Sequence, residues 1–259
     1  MKYLLDKDGI QVLQAFCMAD SLFAFDYDGT LAPIVEDIHN ANMRKSTSIF
    51  LSDLASLSHV ALISGRARND ILKFIPKKIE YVIGNHGLEG IPGDSQSLER
   101  AESACKKWYL KLQNELKMDG IFLENKVYSL SIHYRKSLEK RAAKLKILEV
   151  LDSLTPSPRI IMGKCVINLV SPGAPHKGIA LLEVMLNSGC RSAVYFGDDD
   201  NDEDVFSLGE ESLLTVRIGK NSSSSALFYL NSQDEIDEAI KVCLSSLIKS
   251  GKTSRKHMN

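Results

Sequence analysis

Two short acidic motifs contain the residues with the clearest potential for chemistry. The first is FAFDYDGTLAPI, in which an apolar run ends at Asp26 and is followed by Asp28 and a Gly29-Thr30 turn. Phosphoryl transfer needs an in-line nucleophile, a group that protonates the departing alkoxide, and cations that offset the phosphate charge. Asp26 can act as the nucleophile, while Asp28 gives a proton to the leaving oxygen and later takes one from water. The alternative is a turn that is simply rich in Asp and Gly.

The second motif, AVYFGDDDNDEDVF, also ends an apolar run with carboxylates. Asp198, Asp199 and Asp202 can offer oxygen ligands to Mg²⁺, which prefers hard oxygens shared with water and phosphate. An acidic run that merely favours a helix N-terminus is the alternative interpretation. Its occurrence together with the strand-end Asp-x-Asp motif favours the metal site.

Two smaller motifs lie between these acidic runs. Ser64 in LISGR stands at the end of an apolar run and can donate a hydrogen bond to a phosphate oxygen. Lys177 in PHKG can offset charge on the transferring phosphoryl group. An isolated Ser-Gly more often caps a loop, and a lone lysine is usually solvated, so neither motif is specific by itself.

Short apolar runs with helical stretches between them predict the elements that position these residues. The runs rich in Val, Ile, Phe or Leu cover residues 21–26, 60–64, 81–84, 193–198 and 213–219. Alternating strands and helices predict an α/β fold with a Rossmann-like, doubly wound parallel sheet, in which ligands collect at the carboxyl ends of the strands.

The middle of the chain has a different pattern, which predicts an inserted α+β unit. After about Glu89 come an IPGDS turn, a long helix, two strand-like runs, a Lys-rich helix and two more strand-like runs around Gly163. In VYSLSIHYR and KCVINL, alternate residues fall on opposite faces, one covering helices and the other facing a cleft. The predicted division is a core of residues 1–88 and 164–259 with a cap of residues 89–163 and hinges near 87–93 and 163.

Composition limits the class of partner. The 259 residues carry a formal net charge of -1, so no basic field of the kind that attracts nucleic acid is expected. The five scattered cysteines form no Cys-x-x-Cys pair and favour a reduced cytoplasm over a disulfide framework or a zinc site. We expect neither a signal peptide nor a membrane span, a frayed polar tail at SGKTSRKHMN, a monomer as the default state, and a small-molecule partner.

The motifs DYDGT, SGR, HKG and GDDDND, in this order, resemble the haloacid dehalogenase superfamily of aspartyl-phosphate hydrolases. More narrowly, DYDGTLAPI, LISGR, GNHGLEG, LENK with SLSIHYR, and GDDDNDEDVF resemble the trehalose-6-phosphate phosphatases from about residue 22 to about residue 207. The resemblance implies a Rossmann-like core, a mobile αββαββ (type IIB) cap, and Mg²⁺-dependent hydrolysis of trehalose 6-phosphate to trehalose and phosphate.

The resemblance also implies a role for each matching residue. Asp26 becomes the nucleophile, Asp28 the acid/base, and Thr30, Ser64 and Lys177 the phosphate binders. Mg²⁺ would rest on the Asp26 carboxylate, the Asp28 backbone carbonyl and Asp198, supported by Asp202. The expected substrate-binding residues, from LISGR, the stretch leading into the cap and the cap itself, are Ser64, Gly65, Arg66, Asn85, His86, Gly87, Glu124, Lys126, His133, Arg135 and Asn168. Turn glycines, an ordinary polar histidine and solvated cap charges are the alternatives for the last two groups.

Two departures from the family pattern leave the substrate open. Asn168 stands where the family's Gly-Lys-x-Val-x-Glu has a glutamate, so a charged acceptor for sugar hydroxyls is lost. Asp200-Asn201 replaces the common Arg-Thr. The alternatives are a phosphatase for sucrose 6-phosphate or a glucosylglycerol phosphate, a sugar-phosphate mutase, and a non-catalytic sugar-phosphate sensor or regulatory partner of a synthase. The complete set of candidate catalytic residues argues against the sensor.

Overall fold

A computed structural model gives the structure of residues 1–35, 40–91 and 95–251. Within these residues the chain forms a parallel sheet with helices on both faces and a separate antiparallel sheet flanked by two helices. The predicted fold class, an α/β core with an inserted α+β cap, is confirmed. Residues 92–94, which belong to the predicted IPGDS turn, and residues 252–259, which belong to the predicted tail, lie outside the described residues.

Seven strands form the parallel sheet in the order β1-β11-β10-β9-β2-β3-β4 among the residues described. Their bounds are Lys2–Tyr3 (β1), Ser21–Phe25 (β2), Val60–Ile63 (β3), Tyr81–Ile83 (β4), Ser192–Gly197 (β9), Leu213–Ile218 (β10) and Phe228–Leu230 (β11). The helices beside this sheet are Lys7–Met18 (α1), Lys45–Leu57 (α2), Arg68–Ile71 (α3), Lys177–Ser188 (α6), Glu203–Phe206 (α7) and Ile236–Lys249 (α8).

Strand β2 lies in the middle of this sheet and is buried on both faces. Phe23 and Phe25 pack with the cluster that includes residues of α1, α2 and α8, while Leu22 and Ala24 pack with residues of α6 and α7. This two-residue alternation with apolar side chains on both faces explains why the strand reads as a continuous apolar run. Burial fixes the register of β2 and therefore the position of the residues that follow it.

The second sheet has the order β5-β6-β8-β7 and is antiparallel throughout. Its elements are Ser95–Glu115 (α4), Phe122–Asn125 (β5), Ser129–His133 (β6), Lys140–Leu151 (α5), Arg159–Gly163 (β7) and Val166–Val170 (β8). Leu130, Ile132, Ile167 and Leu169 pack against α4 and α5 in one cluster, as the alternation predicted. The opposite face of the same strands is turned toward the parallel sheet's carboxyl edge, since His133 and Asn168 line the cavity there.

The pairing of β8 bears on the predicted division of the chain. Strand β8 pairs with both β6 and β7, so it belongs to the antiparallel sheet although the prediction assigned residues from 164 onward to the core. We therefore propose that the cap extends to Val170 and that the second connection to the core follows it. The short strands β1, at the edge of the parallel sheet, and β11, beside it, were not predicted, because two or three residues carry too little periodicity.

Two further findings concern the chain as a whole. Cys17, Cys105, Cys165 and Cys243 are free thiols. No helix in the ranges 1–35, 40–91 and 95–251 combines the length and the apolar character that crossing a lipid bilayer requires.

The cap core offers a direct test of the packing. Ile147 is fully buried on α5, whereas Leu145 on the same helix is 61% exposed. Ile147→Ala should lower the free energy of unfolding by about 2–5 kcal/mol, because it removes buried methyl groups and leaves a cavity. The matched variant Leu145→Ala should change it by less than about 0.5 kcal/mol.

Urea unfolding followed by the fluorescence of Trp108, the single tryptophan, reports this region directly, since its ring is buried in the same cluster. Equal shifts for the two variants would contradict the assigned faces of α5.

Candidate active site

The end of β2 delivers Asp26 into a buried cluster of charges. The Asp26 backbone N–H donates to the carbonyl of Phe196 in β9 at 2.8 Å, which ties the two strand ends together. Lys177, the first residue of α6, donates from Nζ to Asp26 Oδ1 at 2.9 Å and to Asp202 Oδ1 at 2.8 Å. Lys177 is 1% exposed and Asp202 is fully buried. The lysine thus joins the first strand to the acidic loop after β9.

Asp202 is the anchor of that acidic loop. Besides Lys177, its Oδ1 accepts a hydrogen bond from the Tyr195 hydroxyl at 2.6 Å, and its Oδ2 accepts from the backbone N–H groups of Asp198 and Asp199 at 3.0 Å each. A Cβ atom on Gly197 would lie 2.3 Å from the Asp202 carboxyl carbon, so only glycine fits there. These contacts hold the loop in the shape that points Asp198 toward Asp26.

Asp26, Asp198 and Asp202 each offer a carboxylate oxygen, and the three oxygens lie within 4.8 Å of one another. The buried Oδ1 atom of Asp198 has no hydrogen-bond partner among the described residues. Gly29 approaches Asp198 so closely that a Cβ would lie 2.1 Å from Oδ2, and its φ of +86° also favours glycine. Hard carboxylate oxygens with an unused lone pair are the donor set that a divalent cation requires.

Burial and the neighbouring charges both shift the pKa values of these groups. Burial, together with the charge of Asp202, raises the pKa of Asp26 to about 7 even though Lys177 acts to lower it. Burial and the charges of Asp26 and Asp202 raise the pKa of Asp198 to about 9. Burial alone would lower the pKa of Lys177, but Asp202 and Asp26 raise it well above its usual value. One lysine does not neutralise three clustered carboxylates, so the cluster favours an additional cation.

Asp28 lies two residues further along and is held by an arginine. Arg66 donates from Nε to Asp28 Oδ2 at 2.7 Å and from Nη2 to Oδ1 at 2.6 Å. Thr30 is fully buried and its Oγ1 has no partner in the described part of the chain. Ser64 is buried, and its Oγ accepts a hydrogen bond from the Arg66 backbone N–H at 3.2 Å.

A cavity of about 390 Å³ separates this cluster from the antiparallel sheet. Its volume lies within the range of small-molecule sites. Its walls come from both units and comprise Asp26, Asp28, Ile34, Val35, Gly65, Arg66, His86, Glu124, Lys126, His133, Arg135, Gly163, Lys164, Val166, Asn168, Lys177, Asp198, Asp199 and Asn201. The predicted cap residues and the predicted catalytic carboxylates therefore face the same space.

The cap side of the cavity is a connected set of polar groups. His133 Nε2 and Glu124 Oε2 are 2.8 Å apart, and Lys126 Nζ donates to the Gly65 carbonyl at 3.1 Å. Burial alone would raise the pKa of Glu124, but the hydrogen bond with His133 and the charge of Lys126 lower it. Asn168 is buried and accepts a hydrogen bond from Ser131 Oγ at 2.6 Å.

Three predicted substrate residues do not line the cavity: Ser64, Asn85 and Gly87. Asn85 instead connects the cap to the core, since its Oδ1 accepts from Ser129 Oγ of β6 at 2.6 Å and its Nδ2 donates to Glu89 at 2.8 Å. Gly87 has a φ of +113°, and a Cβ there would lie 2.7 Å from the His176 carbonyl carbon. The turn-glycine alternative thus describes its structural position.

His86 does line the cavity, and its environment is unusual. Its side chain is 4% exposed, and both ring nitrogens lack a hydrogen-bond partner among the residues described. Its backbone has a φ of 61°, and Asn85 before it has a φ of 49°, both in the left-handed region. Burial and then the charges of Lys126 and Lys177 hold the pKa of His86 well below its usual value, so the ring is neutral.

Several cavity residues were missed by the sequence prediction. Ile34, the last residue of the first acidic motif, and Val35 after it form an apolar wall, and Lys164 lines the cavity together with Asn168. The alternation in KCVINL already separated Lys164 and Asn168 from the buried face and could have added Lys164. Tyr195 does not line the cavity, but its hydroxyl holds Asp202; it was missed because it lies within an apolar strand and has the sequence pattern of a core residue.

Comparison with known proteins gives a consistent family. The family model described as trehalose-phosphatase matches residues 24–234. Trehalose-phosphate phosphatase B of Arabidopsis thaliana is 30% identical over 77% of this chain and 60% of its own length. Trehalose-phosphate phosphatase of Mycobacterium tuberculosis is 28% identical over 87% of this chain and 63% of its own length. The chain thus spans about three fifths of the length of these curated relatives.

A solved structure supports the fold. The C-terminal domain of C. albicans trehalose-6-phosphate phosphatase superimposes with a TM-score of 0.77 at 22% identity, covering 91% of this chain and 97% of that one. A parallel sheet that ends in clustered aspartates and is covered by an antiparallel cap defines the capped haloacid dehalogenase class. Within that class, the chain belongs to the trehalose-phosphatase family.

The neutral state of His86 predicts a pH dependence of stability. The unfolded chain binds a proton at this histidine near pH 6.5, whereas the folded chain does so only at a lower pH. The stabilisation is therefore fully present above about pH 6.5 and is lost as the pH falls, by up to about 1.4 kcal/mol per pH unit.

The His86→Asn variant removes this titration while keeping a residue that tolerates a positive φ. Urea unfolding between pH 5 and 7.5 should show a shallower loss of stability for the variant than for the wild type. Parallel curves for the two proteins would contradict a buried neutral His86.

Proposed function

We propose that the chain is a Mg²⁺-dependent phosphatase that hydrolyses trehalose 6-phosphate to trehalose and phosphate through an aspartyl-phosphate intermediate. The observation that carries the proposal is the buried Asp26, held by Lys177 next to Asp198 and open to a cavity shared with the cap. A nucleophile, a fixed positive charge and a site for a further cation meet at one place, as phosphoryl transfer requires.

The residues present fit a magnesium ion. Asp198 offers a carboxylate oxygen that has no hydrogen-bond partner within the described ranges, and Asp26 and Asp202 lie beside it. We assign the Asp26 carboxylate, the Asp28 backbone carbonyl and Asp198 as ligands, with Asp202 supporting the loop through its hydrogen bonds. When bound, Mg²⁺ supplies positive charge that offsets the phosphate and the repulsion between the carboxylates.

The proposed reaction has two halves. In the first, an oxygen of Asp26 bonds to phosphorus while the bond from phosphorus to the sugar oxygen breaks, and Asp28 gives its proton to that sugar oxygen. In the second, Asp28 takes a proton from a water molecule whose oxygen attacks phosphorus, and Asp26 is released. Lys177 holds Asp26 in place throughout. Thr30, Ser64 and Lys177 are the proposed phosphate binders; of the three, Lys177 lines the cavity, whereas Thr30 and Ser64 are buried.

The cap supplies the proposed sugar contacts. Glu124, Lys126, His133 and Arg135 line the cavity opposite the aspartates, where charged groups can hydrogen-bond sugar hydroxyls. Neutral His86 can donate one hydrogen bond and accept another from the same substrate. Gly65 and Arg66 form the adjoining wall.

One observation favours a different sugar phosphate. The Asn168 Oδ1 atom accepts from Ser131, and its Nδ2 donates to the Ile161 carbonyl at 3.4 Å, so this amide already has two protein partners. A neutral side chain engaged in this way binds a sugar hydroxyl less strongly than a carboxylate does. Sucrose 6-phosphate and glucosylglycerol phosphate therefore stay in the test as alternatives. A cytoplasmic location and a monomeric state remain our proposals for the chain's setting.

Phosphate release from a panel of sugar phosphates tests the proposal. With Mg²⁺ present, trehalose 6-phosphate should give the highest kcat/KM among trehalose, sucrose, glucosylglycerol and glucose phosphates, and EDTA should stop turnover until Mg²⁺ is restored. A higher kcat/KM for another member would make that compound the proposed substrate. Turnover that EDTA does not change would contradict the proposed metal requirement. Release of no phosphate from any member would favour the sensor, and an isomerised sugar phosphate would indicate a mutase.

The Asp26→Asn variant tests covalent catalysis. An amide is a poor nucleophile, so kcat should fall by more than about a thousandfold, while substrate binding measured by calorimetry is largely kept. Asp53→Asn, at an exposed position of α2, is the matched control and should keep wild-type kcat. Retained activity in Asp26→Asn would exclude Asp26 as the nucleophile.

A further inference from the structure

The contact between Arg66 and Asp28 has a geometry that the sequence did not predict. Two nitrogens of one guanidinium reach both oxygens of one carboxylate, at 2.7 and 2.6 Å. This is the bidentate pairing that fixes the plane of a carboxylate as well as its position. The family resemblance implies a substrate contact for Arg66 instead.

The arginine is itself fixed from several sides. Its guanidinium carbon lies 5.3 Å from the centre of the Tyr27 ring and 5.1 Å from that of Phe74, both within cation–π range. The residue is 8% exposed, and its backbone N–H donates to Ser64 Oγ. Tyr27, in turn, is buried and donates from its hydroxyl to the Ala41 carbonyl at 2.8 Å. A guanidinium that already rests against two rings loses little further conformational freedom when it pairs with a carboxylate.

We infer that Arg66 is a positioning residue, which aims the Asp28 carboxyl group at the oxygen that leaves phosphorus. The inference rests on the proposed function, because it gives Arg66 a task within the two-step reaction. Asp28 lines the cavity next to Asp26, so its carboxyl group faces the space where the scissile bond must lie.

The proton balance explains why the pairing is useful. When the bond between phosphorus and the sugar oxygen breaks, the proton of Asp28 moves to the sugar oxygen and Asp28 becomes a carboxylate. The paired geometry seen here is the arrangement that stabilises this carboxylate, since both oxygens accept charge-assisted hydrogen bonds. The same carboxylate then accepts a proton from the attacking water. Arg66 thus acts through Asp28 in both halves of the reaction.

A comparison of leaving groups separates this task from phosphate binding. An alkyl phosphate such as trehalose 6-phosphate needs a proton on its leaving oxygen, whereas p-nitrophenyl phosphate releases a stable phenolate without one. For Arg66→Met, kcat/KM on the alkyl phosphate should fall by about a hundredfold or more, the contribution typical of general acid catalysis. With p-nitrophenyl phosphate the loss should stay below about tenfold, since kcat/KM covers the steps only up to phosphoryl transfer to Asp26.

Three further variants sharpen the comparison. Arg66→Lys keeps the positive charge but loses the bidentate geometry. The ratio of its kcat/KM for the alkyl phosphate to its kcat/KM for p-nitrophenyl phosphate should therefore lie between the ratios of the wild type and Arg66→Met. Adding Arg66→Met to Asp28→Asn should not change that ratio further, because residues that act as a unit are not additive. Arg191→Met, at an exposed position before β9, should behave as wild type. If Arg66→Met does not fold, Arg66→Lys carries the same comparison.

The outcomes distinguish the inference from the proposed function. Equal losses on both substrates, with a raised KM, would make Arg66 a phosphate contact and overturn the inference while the phosphatase proposal stands. An additive effect in the double variant would overturn it as well. If the wild type hydrolyses p-nitrophenyl phosphate but no alkyl phosphate of the panel, the proposed function fails. In that case the inference, which needs a protonated leaving group, fails with it.

Discussion

The buried ammonium group of Lys177 is the interaction on which the candidate site depends. It is shared between Asp26 at the end of β2 and Asp202 in the loop after β9, and water has almost no access to it. Removing one partner of such a group would leave an unpaired charge in the interior, which costs several kcal/mol. The lysine therefore sets the spacing between the end of β2 and the acidic loop. Its position at the first turn of α6 makes the helix part of the same arrangement.

The sequence predicted the parts of this arrangement that depend on strand ends. Buried parallel strands are continuous apolar runs, and their carboxyl ends lie along one edge of the sheet. Asp26 and Asp198 follow two such runs, and β2 and β9 are neighbours in the sheet, so these carboxylates had to meet. The cap faces were equally predictable, because antiparallel strands with one solvated face alternate strictly. In both cases, the apolar residues must be buried, and this requirement determines where the polar residues next to them lie.

The remaining features depend on pairwise contacts that a pattern does not contain. A motif such as GNHG shows that polar residues follow a strand, but not that Asn85 points away from the cavity to meet Ser129. Likewise, SGR shows an arginine near the site without showing that its guanidinium meets Asp28. The predicted cap boundary at residue 163 falls before β8 because the change from cap to core lies at a connection, where no periodicity changes sharply. Side-chain direction at turns, where several φ values are positive, was the missing information.

Hydrogen bonds join the cap to the core segments that lie beside the cavity. Lys126 reaches from the cap to the carbonyl of Gly65, one residue before the arginine that holds Asp28, and Ser129 reaches Asn85 on the same side. A cap that moved away would break these hydrogen bonds and with them two connections to the segments that carry Arg66 and Asn85. In the proposed function, the groups assigned to the sugar and the group assigned to proton transfer are therefore tied together by the same hydrogen bonds. Asn168 takes no part in these two bonds, so a substitution there would leave them in place.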